Sequence, residues 1–284
     1  MSEPRNRFSR PAGAWVDPPA FNRWTAFARL APSFLILGAQ RSGTTALYRY
    51  LVSHPNIPAA LRKEVHYFDF QYQKGRDWYL AHFPATNPFR IARNKVLTGE
   101  ASPYYLVHPL APGRVRRFNP AMKLIVVLRD PIARAWSHYR HEVRRGIENL
   151  SFKGAVDAEA ERLAGTAESL RRGPDYYSFA HHHFAYLDRG RYAHHLQAWL
   201  ELFPRRQMLI LKSDNLIEDA NSAVNRVFAF LGLPPHRLAD HPAPVTAALG
   251  PDLDTAYRKR LEGFFRADQE RLRELCDCSD GMDI

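Results

Sequence analysis

Short apolar runs alternate with longer segments of helical character along this chain. The runs end in glycine, charged or proline residues, which is typical of buried strands in a sheet covered on both faces. Strands are predicted over residues 33–37, 96–98, 123–128 and 207–211, and helices over residues 44–52, 131–145, 151–164, 190–203, 220–231 and 252–275. Buried strands that alternate with helices predict an α/β protein, a three-layer fold with a central parallel sheet flanked by helices.

Residues 38–45, with the sequence GAQRSGTT, follow the first predicted strand. Ligands of parallel sheets bind where the carboxyl ends of the strands meet, so this loop is the first candidate site. Its two glycines, its hydroxyl side chains and the following helix form a P-loop-like cradle for anionic oxygens. A nucleoside-triphosphate loop has lysine directly after the second glycine, but here that residue is Thr44 and the cation is Arg41. Arg41 is therefore predicted to span a 5′-phosphate and the group that leaves it.

A second arginine is delivered to the same edge of the predicted sheet. Arg129 follows the strand at 123–128, and Ser137 lies about two turns into the next helix. A guanidinium and a hydroxyl in these places are suited to hold one phosphate. The residues alone leave two interpretations equally open: a phosphate site, or a local ion pair between Arg129 and Asp130 beside an ordinary helical serine.

Composition and charge narrow the class of protein. The 284 residues are 45% hydrophobic, enough for the core of one large α/β domain. A net charge of +11 indicates an anionic partner, with a solvated arginine-rich surface as an equally weighted alternative. No apolar run reaches the roughly 18 residues of a membrane helix, and residues 1–20 lack the apolar segment of a secretory signal. We therefore expect a cytoplasmic protein.

The cysteines and histidines do not predict a metal site. Cys276 and Cys278 are too few for zinc and poorly spaced to pair with each other, so they are predicted to be reduced thiols. Adjacent histidines at 181–183 and 194–195 point apart on a regular element, whereas metal ligands must converge. The aromatic surroundings of residues 181–183 predict either a loop beside an acceptor cleft or core packing. Tyr192 is predicted to pack in the core or, alternatively, to line a nucleotide cleft.

Two segments, taken together and in this order, resemble the sulfotransferases that use 3′-phosphoadenosine 5′-phosphosulfate (PAPS). FLILGAQRSGTT at 34–45 is similar to the 5′-phosphosulfate loop of that family, and KLIVVLRDPIARAWSHYRH at 123–141 to its 3′-phosphate motif. Five further segments resemble the heparan-sulfate branch of the family and its bacterial relatives: KEVHYFD, KGRDWYLAHFP, EASPYYL, GRYAHHLQAWLELFP and FLGLP. The resemblance covers about residues 32–275, the predicted sulfotransferase domain, and is followed by a predicted C-terminal tail at 276–284. Residues 1–31 are rich in proline, arginine and aromatics and are predicted to form an extended N-terminal arm.

The resemblance also implies a reaction and a set of site residues. A sulfuryl group would pass without a metal from PAPS to a hydroxyl or amine of a glycan, lipid or small molecule, and adenosine 3′,5′-bisphosphate (PAP) would leave. Implied cofactor contacts are Arg41, Ser42, Gly43, Thr44 and Thr45 at the 5′ end, and Arg129 and Ser137 at the 3′-phosphate. Tyr192, from its place in the predicted helix, is a further candidate. Glu64 is the implied catalytic base, with His66 as the second candidate, while Arg41 stabilises the leaving phosphate. Candidate substrate contacts are Lys63, Asp69 and Ser102.

Three places depart from the family pattern. Arg41 stands where the family often has lysine, Ala101 stands where many relatives have lysine, and residues 245–253 contain no lysine, arginine or cysteine. Three alternative functions are a P-loop NTPase or kinase, a nucleic-acid-binding module, and a nucleotide-binding scaffold without catalysis. Thr44 argues against the first, and no nucleic-acid partner is predicted. The acceptor and the oligomeric state stay open.

Overall fold

The computed structural model describes residues 17–86, 95–173, 176–238 and 253–277. Within these ranges, one sheet contains the strands β1 (Phe34–Gly38), β2 (Gly99–Ala101), β3 (Lys123–Leu128) and β4 (Met208–Lys212). Their order across the sheet is β2-β1-β3-β4, and every neighbouring pair is parallel. The carboxyl ends of the four strands therefore share one edge, where ligands of such sheets bind.

Thirteen α-helices lie in the described part of the chain. They are α1 (Ala20–Trp24), α2 (Thr44–Leu51), α3 (Gly75–Leu80), α4 (Ala111–Phe118), α5 (Pro131–Arg144), α6 (Phe152–Asp157), α7 (Glu159–Leu163), α8 (Thr166–Arg172), α9 (Phe179–His183), α10 (Tyr192–Leu200), α11 (Ser213–Glu218), α12 (Ala220–Leu231) and α13 (Thr255–Asp277). Short 3₁₀ turns link several of them, including Asp188–Gly190 directly before α10.

Apolar residues cover both faces of the sheet. Alternate side chains of a strand point to opposite faces, so Leu35 and Leu37 of β1 join one buried cluster and Phe34 and Ile36 join the other. Residues of α10 lie in the first cluster, and residues of α2 and α12 lie in the second. This arrangement confirms the predicted α/β fold with a central parallel sheet between layers of helices.

The second strand lies three residues later than its prediction over 96–98. Leu97 N–H donates to Asn56 O at 2.9 Å, outside the sheet, and Thr98 O accepts from Ser33 N–H at 2.9 Å, one residue before the first pair of the ladder. Gly99 instead pairs with Phe34, and a Cβ at Gly99 would lie 2.4 Å from Phe34 O. The strand thus begins where the chain can approach β1 closely, which an apolar pattern does not reveal.

Helix boundaries differ from the prediction at three other places. The helix predicted over 151–164 is divided into α6 and α7, and the histidine segment predicted as a loop or core packing forms the short helix α9. The C-terminal helix, predicted over 252–275, runs to Asp277, so Cys276 is a buried residue of this helix. Cys278 and residues 278–284 lie outside the described ranges.

The N-terminal arm is helical in part. The prediction of an extended arm is wrong over Ala20–Trp24, where α1 forms, while residues 1–16 lie outside the described part of the chain. Leu30 N–H donates to Pro84 O at 2.9 Å and Thr86 N–H donates to Ala28 O at 2.7 Å. The end of the arm is therefore hydrogen-bonded to the segment after α3.

Candidate active site

The loop after β1 approaches a neighbouring segment closely. A Cβ at Gly38 would lie 2.9 Å from Leu106 Cβ and 3.2 Å from Pro103 O, so only glycine fits at this strand end. Gly43 has a φ of 95° and directly precedes α2. A left-handed residue there turns the chain from the loop into the helix. The first-turn amides of α2 are thereby placed at the carboxyl edge of the sheet, where an anion can bind.

The hydroxyl residues of the loop differ in their surroundings. Ser42 and Thr44 are buried, whereas Thr45 is exposed. Ser42 Oγ lies beside the Tyr192 hydroxyl but forms no well-aligned hydrogen bond within the described residues. A buried hydroxyl without a partner is costly in a finished core and common at a binding site. The loop therefore has a donor available for a ligand oxygen.

Arg41 connects the two predicted halves of the nucleotide site. Its Nε donates to Ser137 Oγ at 3.1 Å, and Arg129 Nη1 donates to Arg41 O at 3.5 Å. Tyr192 donates its hydroxyl proton to Arg129 O at 3.0 Å. The structure thus brings together Arg41, Arg129, Ser137 and Tyr192, although they come from two strand ends and two helices.

The carboxylate of Asp130 is engaged at the helix start, although its charge raises the pKa of Arg129. Its Oδ1 accepts a hydrogen bond from Ala133 N–H at 2.7 Å and caps α5. No ion pair joins Arg129 to Asp130 in the part of the chain that the structure describes. Of the two interpretations left open by the sequence, the local ion pair is not formed, and the guanidinium of Arg129 is left for another anion.

The electrostatics of this region favour an anionic ligand. Burial lowers the pKa of Arg41, and the nearby charges of Arg144 and Arg129 lower this pKa further. Burial also lowers the pKa of Arg129. Cations that repel one another at a strand edge are stabilised when a doubly charged phosphate enters between them. These residues therefore fit a nucleotide with phosphate groups.

A second segment is attached to the carboxyl end of β2. Glu64 N–H donates to Ala101 O at 3.0 Å, and His66 N–H donates to Ser102 Oγ at 3.2 Å. Because Ala101 pairs with Ile36 of β1, this segment lies at the same sheet edge as the loop after Gly38. Glu64 and His66 both have left-handed φ values, 63° and 55°. Such residues are uncommon outside glycine and cluster at functional sites.

Glu100, which was not among the predicted site residues, holds this segment in place. Its buried carboxylate accepts hydrogen bonds from four donors: Ser102 Oγ at 2.6 Å, Tyr105 Oη at 2.8 Å, Tyr79 Oη at 3.0 Å and Val65 N–H at 3.1 Å. Burial raises the pKa of Glu100, and the hydrogen bonds oppose that rise. Ser102, predicted as a substrate contact, is fully buried between Glu100 and the His66 amide. A charged residue at a strand end was the available signal for Glu100.

Four charged groups meet around Glu64. The carboxylate of Glu64 is ion-paired with Lys63 and lies 3.7 Å from His66 Nε2, while His66 Nδ1 lies 2.6 Å from Asp69 Oδ2. Burial alone would raise the pKa of Glu64, but His66 and Lys63 lower it to about 2. Burial alone would lower the pKa of His66, but Asp69 and Glu64 raise it to about 9. His66 is therefore a cation held between two carboxylates.

Exposure separates the roles of these groups. The side chain of Glu64 is 44% exposed, whereas those of His66 and Asp69 are 7% and 0% exposed. Of this trio, Glu64 is the group that an acceptor from solvent can reach. His66 lies between the carboxylates of Glu64 and Asp69, and its positive charge stabilises the ionised form of Glu64. Asp69 was predicted as a substrate contact, but its side chain has no exposed atom in this conformation.

The histidine cluster is held by polar side chains rather than converging on one point. His181 Nδ1 lies 2.6 Å from Tyr104 Oη, and His183 Nδ1 lies 2.9 Å from Glu142 Oε2. No group of three or more metal-ligating side chains occurs within residues 17–86, 95–173, 176–238 and 253–277. Over the same ranges, none of the helices has both the length and the apolar character that crossing a bilayer requires.

Comparison with known proteins identifies the family. Residues 31–243 match the family described as "Sulfotransferase domain". A crystal structure of a sulfotransferase from Alicyclobacillus acidocaldarius superposes with a TM-score of 0.65 at 29% identity, covering 86% of this chain and 95% of that one. The chain belongs to the sulfotransferase domain family, as the paired loop motifs predicted.

Two curated relatives show which branch the chain is similar to. Human heparan sulfate glucosamine 3-O-sulfotransferase 3B1 is 35% identical over 207 residues, 71% of this chain and 46% of that protein. The bifunctional heparan sulfate N-deacetylase/N-sulfotransferase 1 of Caenorhabditis elegans is 31% identical over 226 residues, 77% of this chain and 24% of that protein. The chain thus spans about half, or less, of the length of these relatives.

Proposed function

We propose that this chain transfers the sulfuryl group of PAPS to a hydroxyl or amine of an acidic glycan. The observation that carries the proposal is the meeting of Arg41, Ser137 and Arg129 where β1 and β3 end. The loop at 38–45 would hold the 5′-phosphosulfate, and Arg129 with Ser137 would hold the 3′-phosphate. A site for phosphates at both ends of a nucleoside distinguishes PAPS from a nucleoside triphosphate.

The reaction is a displacement at sulfur, for which PAPS supplies the sulfuryl group and PAP is the leaving group. Glu64 accepts the proton of the acceptor as the new bond to sulfur forms. Arg41, the Ser42 hydroxyl and the first amides of α2 stabilise the charge that develops on the 5′-phosphate as its bond to sulfur breaks. His66 and Asp69 keep the Glu64 carboxylate ionised and oriented through the contacts described above.

Two observations support an acidic glycan as the acceptor class. The relatives named above act, by their names, on heparan sulfate, and the net charge of +11 favours the approach of an anionic chain. Relatives of both the O- and the N-sulfating kind match, so both a hydroxyl and an amine are kept in the proposal.

Ligand-induced stabilisation tests the nucleotide half of the proposal. We expect PAP at about 100 times its Kd to stabilise the protein by about 2.7 kcal/mol, and ATP with Mg²⁺ to leave the melting temperature unchanged. The rival P-loop kinase predicts the reverse pattern. Stabilisation by ATP with Mg²⁺ alone would refute a PAPS site.

Replacement of Glu64 tests the transfer half. With PAPS and heparan sulfate as probes, Glu64→Gln should lower kcat by about 10² to 10⁴, because general-base assistance is lost. PAP affinity should stay unchanged, since Glu64 lies outside the nucleotide contacts. Glu201→Gln, at an exposed position after α10, is the matched control and should behave as wild type. Full turnover by Glu64→Gln would remove Glu64 from the mechanism.

A further inference from the structure

Arg189 is a buried cation that no sequence pattern singled out. It lies in the turn Asp188–Gly190 before α10 and is 2% exposed. Its Nη1 donates to Gln40 Oε1, and its Nη2 donates to His181 O at 2.7 Å and His182 O at 2.8 Å. One guanidinium therefore holds a side chain of the phosphate loop and two carbonyls of α9.

Arg189 forms no direct ion pair with a carboxylate of the described residues, although the charges of Glu142 and Asp188 raise its pKa from a distance. Its Nε has no hydrogen-bond partner within the described ranges. Its guanidinium carbon lies 4.8 Å from the centre of the Tyr104 ring, a cation–π contact. Burial lowers the pKa of Arg189. A buried arginine without a direct ion pair is costly to a fold, so its unpartnered Nε beside the phosphate loop points to an anionic ligand that offsets part of this cost.

The partners of Arg189 belong to opposite halves of the site. Gln40 directly precedes Arg41 in the loop proposed to hold the 5′-phosphosulfate. On the other side, the His182 ring lies 6.5 Å from the His66 ring and 5.7 Å from the Phe70 ring. Arg189 thus connects the loop on the donor side to the helix that packs beside the Glu64–His66 segment.

We propose that Arg189 is a positioning residue that fixes the phosphosulfate loop relative to the acceptor-side segment and adds positive charge beside the transferred sulfuryl group. The inference rests on the proposed function. In-line transfer requires the sulfur, the leaving oxygen and the attacking atom to be aligned, and a misplacement of about 1 Å can cost about 10² in rate. PAP has no sulfuryl group, so its binding does not need this alignment.

The test compares Arg189→Met, Arg189→Lys and Gln40→Ala with wild type. We expect Arg189→Met to lower kcat with PAPS and heparan sulfate by about 10² and to change the KM for PAPS far less. PAPS affinity, measured by calorimetry without acceptor, should fall about tenfold, whereas PAP affinity should change less than about threefold. Arg189→Lys should restore part of kcat, because it keeps the charge but not the forked geometry.

A double-mutant cycle separates positioning from a purely structural role. If Arg189 acts through Gln40, the double variant Gln40→Ala/Arg189→Met should lose less kcat than the product of the two single losses. Arg172→Met is the matched control, because Arg172 is exposed and paired only with Glu168 on α8. It should leave every one of these quantities unchanged.

The outcomes also separate this inference from the proposed function. A wild-type protein that binds neither PAP nor PAPS refutes the proposed function, and the inference falls with it. A wild-type protein that transfers sulfuryl groups while Arg189→Met and Arg189→Lys keep kcat within twofold refutes the role of Arg189 alone. If Arg189→Met does not fold, Gln40→Ala and Arg189→Lys test the role of Arg189 instead. For these two variants the same quantities are measured: kcat, and the affinity for PAPS compared with that for PAP.

Discussion

Glu64 shows a tension between orientation and base strength. Lys63 and His66 hold its carboxylate ionised and lower its pKa to about 2, although burial opposes this. A general base works best when its pKa is near the operating pH. In the proposed mechanism, an acceptor that displaced the Lys63 ammonium would remove one of the two stabilising charges and would make Glu64 a stronger base. The proposed mechanism thus has the free protein hold Glu64 ionised, and the arriving acceptor would complete its activation.

The paired charges around His66 predict how stability depends on pH. The folded-state pKa of His66 is raised from 6.5 to about 9. The resulting stabilisation is fully present below pH 6.5 and is lost as the pH rises through about 9. We expect the free energy of unfolding of wild type to fall over this interval more steeply than that of His66→Gln, as measured by urea denaturation at a series of pH values. Equal slopes for the two proteins would contradict a protonated His66 in the native state.

Sequence patterns predicted the site residues that directly follow an apolar run. They did not predict those whose partners are distant along the chain. Arg41 and Arg129 follow apolar runs that end at the sheet edge, so both were predicted. Arg189 bonds to Gln40, 149 residues away along the chain, and no local spacing encodes such a contact. The roles assigned to Lys63, Thr45 and the other candidates in the site stay predictions, since contacts with a ligand would be needed to test them.

The helix α5 sets the geometry of the proposed 3′-phosphate site. It begins directly after Arg129, with Asp130 as the cap and Pro131 at the first position. Ser137 lies two turns along the helix, where its hydroxyl meets Arg41. The proposed phosphate contacts Arg129 and Ser137 are both positioned by the start of α5. A change at that start is therefore expected to move one contact relative to the other.

Removal of two similar caps should therefore have different functional effects. Asp130→Ala removes the acceptor of the Ala133 amide proton, and Asp219→Ala removes the corresponding acceptor of the Ser222 amide proton at α12, at 2.9 Å. Each should cost about 1 kcal/mol of stability, measured by chemical denaturation. PAP affinity should fall only for Asp130→Ala. A similar loss of affinity in both variants would indicate a general effect of lower stability.

The six-residue strand β3 was predicted to the residue, whereas the three-residue β2 was not. The apolar run determines the bounds of β3, and Pro131 determines where α5 begins, so both are local features of the sequence. β2 has only three residues, including Gly99 and the buried Glu100, and it is held by its pairing with β1 and by the hydrogen bonds to the Glu100 carboxylate. Its stability comes from tertiary contacts, so propensity and pattern carry little information about it.

At the scale of the whole molecule, the described end of the N-terminal arm is part of the folded unit. The family match begins at residue 31, but Asp17 accepts a hydrogen bond from Trp78 Nε1 at 2.7 Å and Asn22 Nδ2 donates to Ala81 O at 3.1 Å. The division into an arm, a domain and a tail stays a prediction, as does the cytoplasmic location. These contacts show that a boundary at residue 31 does not coincide with the end of tertiary contacts.

Arg29 offers a direct measure of how much the arm stabilises the protein. Its Nη1 donates to Phe83 O at 2.7 Å, and its Nε donates to Asn22 O at 3.1 Å, so it joins the arm both to itself and to the segment after α3. Arg29→Ala leaves these carbonyls without a charged donor and should lower the free energy of unfolding by about 1 to 3 kcal/mol. Arg23→Ala, at an exposed position of α1, should change it by less than about 0.5 kcal/mol. Both variants should bind PAP as wild type does, because neither arginine contacts the nucleotide residues. Equal stability of the two variants in urea denaturation would mean that the arm lies on the protein without supporting its fold.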